Sequence, residues 1–284
     1  MGHHYLPQQY LRGFEAADEP GAIWSYDKVT RRFARITIKV VAQEAEFYDA
    51  DVEKELNESV EGPAHASMAK VRRQEPFSLE DRLRLAVYAA TMIMRVPHRR
   101  RKAFELIPSA LATTMDEMRG RIAEWSRSPN ADQSLVARRL GDVDRLQEEF
   151  LRRPPADVVD RIRSPWPSQQ LVGLLHGMTW RIVGADPANR FLTSDNPAYF
   201  FEAFGLGKPE AEFTFPLASD LALLASWQGP REGFIVVQAK PRLVKEVNRR
   251  VASGAERFVF YHQRQDWVGM LADKVSPYLS RIQW

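Results

Sequence analysis

The chain contains no cysteine among its 284 residues. Disulfide staples, thiolate zinc sites and cysteine nucleophiles are therefore excluded. Also missing is any uncharged run approaching the roughly 18 residues that span a bilayer, and no basic-then-apolar leader precedes the first motif. A cytoplasmic protein with no membrane partner is the simplest expectation. There is no Gly-x-Ser-x-Gly elbow, no Walker loop and no dinucleotide fingerprint, which disfavours serine hydrolases, P-loop NTPases and Rossmann dehydrogenases. Internal repeats and low-complexity tracts are absent. Net charge is small as well: 40 basic against 37 acidic residues leave +3, which permits a nucleic-acid or phosphate partner without arguing for one.

What is present is an ordinary globular composition, 44% hydrophobic and 27% charged, with enough chain to bury one large core or two modest ones. The first residues are its most unusual stretch. His3-His4-Tyr5-Leu6-Pro7-Gln8-Gln9-Tyr10-Leu11-Arg12-Gly13-Phe14 crowds aromatics and polar donors into a terminus that is normally unconstrained. Leu6, Tyr10 and Phe14 recur every four residues, predicting a short helix after Pro7 with one apolar face, stopped at Gly13. A terminus of this kind is expected to dock into the body and seed a site.

Downstream, Ala22–Asp27 and Phe33–Lys39 read as a β-hairpin. Asp51 reads as the N-cap of a helix to Glu61, with Val52, Leu56 and Val60 buried and Glu53, Asn57 and Glu61 beside them; Gly62-Pro63 kinks or ends it. Ser78, with Asp81 three residues on, caps a nearly all-apolar core helix from Leu83 to Met94 that closes on Arg95. The basic cluster His98–Lys102 reads as a solvated helix start or a phosphate patch, followed by a helix over about 103–126, a polar loop at 127–136 and charged helices to Arg153. Residues 100–163 are thus expected to form a helical subdomain or insertion within a single domain spanning 1–284. A helix at about 168–178 precedes Trp180–Val183 and Arg190–Thr193, read as a strand pair around Asp186-Pro187. The turn Ser194-Asp195-Asn196-Pro197 follows. Glu212–Leu217, Ala222–Trp227, Phe234–Gln238 and Phe258–Tyr261 read as strands, with a helix from Pro241 to about Ser253. The order predicts α+β: an N-terminal β-hairpin, a helical middle and a mixed β-sheet in the C-terminal half.

His4-Tyr-Leu-Pro-Gln8 with Tyr10-Leu11-Arg12 and Phe14 resembles the opening of domain-of-unknown-function family 4238, a mostly bacterial family. Phe191-Leu-Thr-Ser-Asp-Asn-Pro197 is similar to its central Ser-Asp-Asn-Pro motif, and Phe215-Pro-Leu217 and Asn248 ahead of Phe258-Val-Phe are similar to its C-terminal half. The resemblance covers almost the whole chain and implies a fold group without an assigned activity.

Each candidate residue has two readings. His4 is a metal ligand or general base, or else a histidine that docks the terminus through a backbone carbonyl. Gln8 and Arg12, one helical turn apart, read as ligand-binding or, for Arg12, as a surface ion-pair residue. Asp195 and Asn196 end a strand, an address for ligands, but also follow ordinary turn chemistry. Arg95 needs a carboxylate or phosphate partner, either as an anion clamp or as a buried ion pair with Glu53, Glu61 or Asp195. His4, Glu53, Glu61 and Asp195 form the candidate set for Mg²⁺ or Mn²⁺, against a solvated acidic helix face. The leading expectation is a metal-dependent hydrolase of a phosphodiester or related bond, with His4, Asp195 and Arg95 catalytic and Gln8, Arg12 and Asn196 on the ligand. The alternative is a non-catalytic module that recognises an acidic ligand or partner protein; a metal-free enzyme using His4 alone as base ranks below both. The ligand is expected to be a small molecule or a nucleic acid. The seven tryptophans, read as core or subunit-interface anchors, allow a homo-oligomer.

Overall fold

A computed structural model describes residues 2–45, 50–202, 205–229, 235–274 and 282. The acidic stretch at 46–49, the first residue of the Phe234–Gln238 strand and the terminal Trp284 lie outside these. The chain divides into two compact units, Met1–Pro97 with Pro165–Trp284, and His98–Ser164.

In the larger unit, β1 (Gly2–His4) leads through Pro7 into α1 (Gln8–Arg12), then β2 (Ala22–Asp27), β3 (Arg32–Thr37), β4 (Gln43–Ala45) and α2 (Ala50–Leu56). One π-helical turn, Asn57–Glu61, joins α2 to α3 (Gly62–Arg72), and α4 (Leu79–Met94) follows. Asp51, expected as the N-cap, lies inside the first turn of α2, and of the two outcomes expected at Gly62-Pro63, a kink or an end, the helix does not end there. Proline has no N–H and its ring crowds the carbonyl four residues back. The chain meets this by widening one turn, with the Gly62 N–H reaching back to the Asn57 carbonyl.

After the smaller unit come α8 (Gln169–Gly177), β5 (Thr179–Gly184), β6 (Thr193–Ser194), β7 (Tyr199–Phe200), β8 (Glu212–Ala218), β9 (Leu221–Ser226), β10 (Ile235–Gln238), α9 (Pro241–Gly254), β11 (Phe258–Tyr261) and α10 (Trp267–Ala272), a helix the pattern did not announce. The smaller unit holds α5 (Pro97–Ser126), α6 (Gln133–Arg152) and α7 (Ala156–Arg163). Leu111, Met115 and Val143 form its core, and Arg119 bonds Asp144 and Gln147 across α5 and α6. Helix α5 takes in the basic cluster, and α6 begins inside the stretch expected to be loop, at an Asp132 cap that accepts from the Ser134 and Leu135 amides.

A five-stranded sheet, in the order β10-β5-β9-β8-β7, carries the main core; only β10 and β5 run parallel. Both faces are covered, so β8 and β9 are buried at every position, including Glu212 and Thr214 of β8. Trp180, Ile182, Phe213, Phe215, Leu221 and Leu223 face one cluster, which α1, α3, α4 and α8 complete. Val183, Ala222 and Leu224 point the other way, toward Val244, Val247 and Val251 of α9. A second sheet, β3-β2-β11-β6, is antiparallel throughout, and β1 pairs with β4 by itself.

The expected pairing of Arg190–Thr193 with Trp180–Val183 is overturned. β5 lies between β9 and β10, while Thr193 and Ser194 pair with β11 in the other sheet. Asn248 supplies the reason: its side chain accepts from the Leu192 amide at 2.8 Å and donates to the Arg190 carbonyl at 2.9 Å. The segment's backbone is satisfied by a helix side chain instead of a neighbouring strand.

Two buried carboxylates tie elements together. Asp81 is fully buried in the capping box of α4 and also accepts from Ser67 and Lys70 of α3. Burial favours its neutral form, but the Lys70 ammonium and the Ser78 and Ser67 bonds outweigh it and hold the carboxyl well below the usual range. Glu212 on β8 meets Arg250 of α9 at 2.5 Å, both essentially inaccessible, with Thr214 taking a second guanidinium N–H. Replacing Glu212 with Ala removes the nearer carboxylate from a buried cation and leaves Glu246 at 3.8 Å, which is expected to cost about 3 kcal/mol, whereas Glu212→Leu with Arg250→Met recovers most of that loss. Urea midpoints of the single and double variants test this.

Candidate functional site

The N-terminus is sewn into the body. β1 pairs with β4, and the Tyr5 amide donates to the Ala42 carbonyl at 2.9 Å. Leu6, Tyr10 and Phe14 are fully buried. The Tyr10 hydroxyl bonds Thr193 at 2.6 Å and the Pro216 carbonyl at 2.8 Å, and its ring stacks on Phe215. Gly13 allows the closest approach: a Cβ there would stand 3.0 Å from the Ala218 Cβ, and the Gly13 carbonyl accepts from the Ser219 amide. With one face of α1 committed to the core, its other residues turn toward the π turn and α2.

Between them lies a cavity of about 600 Å³, lined by His4, Gln8, Gln9, Arg12, Glu53, Lys54, Asn57, Glu61 and Arg95 together with Pro7. Six of the singled-out residues, His4, Gln8, Arg12, Glu53, Glu61 and Arg95, therefore share one site. Gln9, Asn57 and Lys54 belong to it as well, and the four-residue step from Glu53 through Asn57 to Glu61 already placed Asn57 on that face. Gln9 and Lys54 carried no periodic signal.

Arg95 closes the inner wall. It is 1% exposed and donates to Glu61 at 2.5 Å and to the His4 carbonyl at 2.8 Å. The guanidinium is committed to an internal ion pair and to the backbone of β1, which is the buried-pair reading. Behind it, burial raises the Tyr88 phenol well above its ordinary value, with Glu61 adding to the effect.

His4 is buried, and that burial lowers its pKa from the ordinary histidine value; the Lys39 carbonyl and Glu53 act against this. The Gln43 side-chain amide nitrogen donates to the Lys39 carbonyl at 2.6 Å and lies 2.9 Å from His4 Nε2, which is itself 3.2 Å from the same carbonyl. The donor and acceptor roles at Nε2 follow from the ring tautomer, and a ring N–H donated to the Lys39 carbonyl opposes the lowering by burial. The side chains of Gln8, Arg12, Glu53 and Asn57 have no hydrogen-bond or ion-pair partner among the described residues.

The convergence of Asp195 and Asn196 on this cleft does not hold. Neither lines it. Asp195 accepts from the backbone amides of Glu256, Arg257 and Phe258 at 2.7–2.8 Å, and the Asn196 side chain donates to the Gly254 carbonyl at 3.0 Å. The tetrad is a joint between β6 and the α9–β11 turn: a carboxylate satisfies three successive amides that the strand start leaves unpaired. The set His4, Glu53, Glu61 and Asp195 is not assembled, and among the described residues no group of three or more His, Asp or Glu side chains could hold a metal ion. No helix among them is long and apolar enough to cross a membrane.

The architecture defines an α+β protein with a polar cleft built by its own N-terminus. The chain belongs to the family described as Protein of unknown function (DUF4238), whose sequence profile matches residues 2–265. No curated protein and no solved structure matches it.

Replacing Arg95 with Met is expected to cost about 3–5 kcal/mol by leaving Glu61 buried and unpaired. It should also release β1, seen as faster amide exchange over residues 2–12 than over β8. The pH dependence has a definite sign. His4 and His65 are both held below the ordinary histidine value by burial, His65 down to about 4. A depressed folded-state pKa means that the unfolded chain binds protons first, so stability present above pH 6.5 is lost as pH falls toward 4. Thermal melts should show this slope, and His65→Phe should flatten its lower part.

Proposed function

We propose that this chain is a binding protein whose N-terminal cleft takes a small anionic ligand that also carries hydrogen-bond donors. The observation that carries this reading is the set of side chains around the cleft that have no internal partner. Arg12 presents a guanidinium fork suited to a carboxylate or phosphate. Glu53 accepts from a donor on the same molecule, and Gln8 and Asn57 add amides that both donate and accept. Arg95 and Glu61 neutralise each other and Lys54 lies 3.9 Å from Glu58, so the charge offered to a ligand comes mainly from Arg12 on one side and Glu53 on the other. The volume suits a small metabolite.

A metal-assisted hydrolase finds less support in the same geometry. Its proposed ligand Asp195 is bonded to three backbone amides elsewhere, and its proposed clamp Arg95 is occupied by Glu61 and the His4 carbonyl.

The test is a thermal-shift panel of inorganic phosphate, adenosine monophosphate, citrate and glutamate against wild type, Arg12→Ala and Glu53→Gln. A ligand at a hundredfold excess over its Kd stabilises the folded state by about 2.7 kcal/mol, and loss of the Arg12 contact should weaken it by about tenfold or more. Arg12 is exposed and unpaired, so its replacement should not alter the ligand-free melt. Binding that survives Arg12→Ala unchanged would overturn the assignment. Hydrolysis of bis-nitrophenyl phosphate dependent on Mg²⁺ or Mn²⁺ and abolished by His4→Ala would restore the hydrolase reading.

A further inference from the structure

A second cavity, of about 770 Å³, shares no residue with the N-terminal cleft. It lies where the Pro187–Leu192 segment, the first turns of α9 and the helix α10 meet. Two features separate it from an ordinary surface hollow. Its floor is apolar: Phe191, Leu192, Val244 and Val268 are buried there, and Trp267 and Met270 stand at the wall 37% and 70% exposed. The second feature is charge. Arg190, Arg242, Lys245 and Lys274 line it, and no Asp or Glu is found among its described lining residues. None of the four cations has a hydrogen-bond or ion-pair partner among the described residues, and the Arg190 Nε is buried without one.

The nearby carboxylates are used elsewhere. Asp186 accepts from the backbone amides of Ala188 and Asn189, Asp266 pairs with Arg264, and Asp273 takes the Tyr26 hydroxyl. Asn248 holds the backbone on either side of Phe191, so the placement of Arg190 is fixed by the fold and not by an ion pair. Four unpaired cations around an apolar floor repel one another, and that repulsion is relieved by an anion. The exposed apolar wall is relieved by burial of a hydrocarbon or aromatic body.

We propose that this cavity is a binding site for a small amphipathic organic anion: a carboxylate, sulfonate or phosphate held by Arg190, Arg242 and Lys245, with a medium-chain acyl or aryl body against Phe191, Val268 and Trp267. The volume falls within the range of small-molecule pockets. The two ends of such a ligand match the two surfaces, and neither an inorganic anion nor a neutral hydrocarbon satisfies both.

The experiment uses the full chain with anilinonaphthalene sulfonate as fluorescent probe and decanoate as competitor, alongside melting temperatures. Decanoate should displace the probe and raise the melting temperature, while decylamine and inorganic phosphate should do neither. Arg242→Glu with Lys245→Glu, both exposed on α9, should weaken decanoate by about tenfold or more and leave the N-terminal cleft unaffected. Met270→Asp should weaken it independently by making the wall polar. Near-UV circular dichroism establishes that the variants keep native packing, so that probe binding does not report partial unfolding. Equal binding of decanoate and decylamine would overturn the proposal in favour of an apolar patch alone. Displacement by inorganic phosphate would reduce the site to bare charge. Binding to phosphatidylglycerol vesicles without binding of monomeric decanoate would make this face a membrane-contact surface and refute the small-molecule site. Unchanged affinity in the charge-reversed variant would refute it too.

Discussion

A guanidinium taken out of water must find compensation on the spot, and the placement of Arg95 makes that requirement the hinge of the structure. The residue ends a core helix and is 1% exposed. Among its bonds are those to the Glu61 carboxylate and to the His4 carbonyl. The first draws the π turn between α2 and α3 onto α4. The second pins β1, so that the chain's first strand is held by the same charge as its acidic helix. Because both partners converge on one cation, the cleft's two walls are set relative to each other by a single ion. The cleft residues are then free to stay unpaired, since the pair behind them carries the structural load.

The Ser194–Pro197 tetrad works by the same logic with opposite sign. Asp195 is a buried carboxylate that gathers three successive backbone amides, and Asn196 reaches the end of α9. A polar residue in a motif at a strand end reads as a site residue, yet here its chemistry is consumed in making the strand end possible. The contrast with Arg12 and Glu53 is instructive. Those side chains belong to a short helix and a helix face with nothing distinctive about their residue types, and they are the ones left available.

The α+β order, the hairpin, the Ser78 capping box and the apolar stripes of α1, α4 and α9 were legible because each is a local pattern: period two, period 3.6, or a cap three residues from its partner. Local pattern failed where a distant side chain intervened. Arg190–Thr193 has the composition of a strand, but Asn248 satisfies its backbone and β11 takes its last residue. Of the two outcomes Gly62-Pro63 allowed, a kink or an end, the helix does not end, because a single π turn accommodates the proline. Arg250 and Glu212, whose pairing crosses from α9 to β8, carried no sequence signal, since each sits among residues that mask its burial.

For the site, six of the singled-out residues came together and two did not. His4, Gln8 and Arg12 were marked by their density in a terminus that seldom carries so much chemistry, and Glu53 and Glu61 by a four-residue step. The sequence by itself determined that the N-terminus must dock, because Leu6, Tyr10 and Phe14 have to leave water, and that Arg95 must be paired, because no charge is stable alone beside such a helix. Only the tertiary structure decided which partner each took. Glu61, Glu53 and Asp195 were chemically equal candidates for Arg95, and nothing short of the folded chain distinguishes them. A hydrogen-bonded ion pair needs direct contact, and the π turn that carries Glu61 is what reaches Arg95.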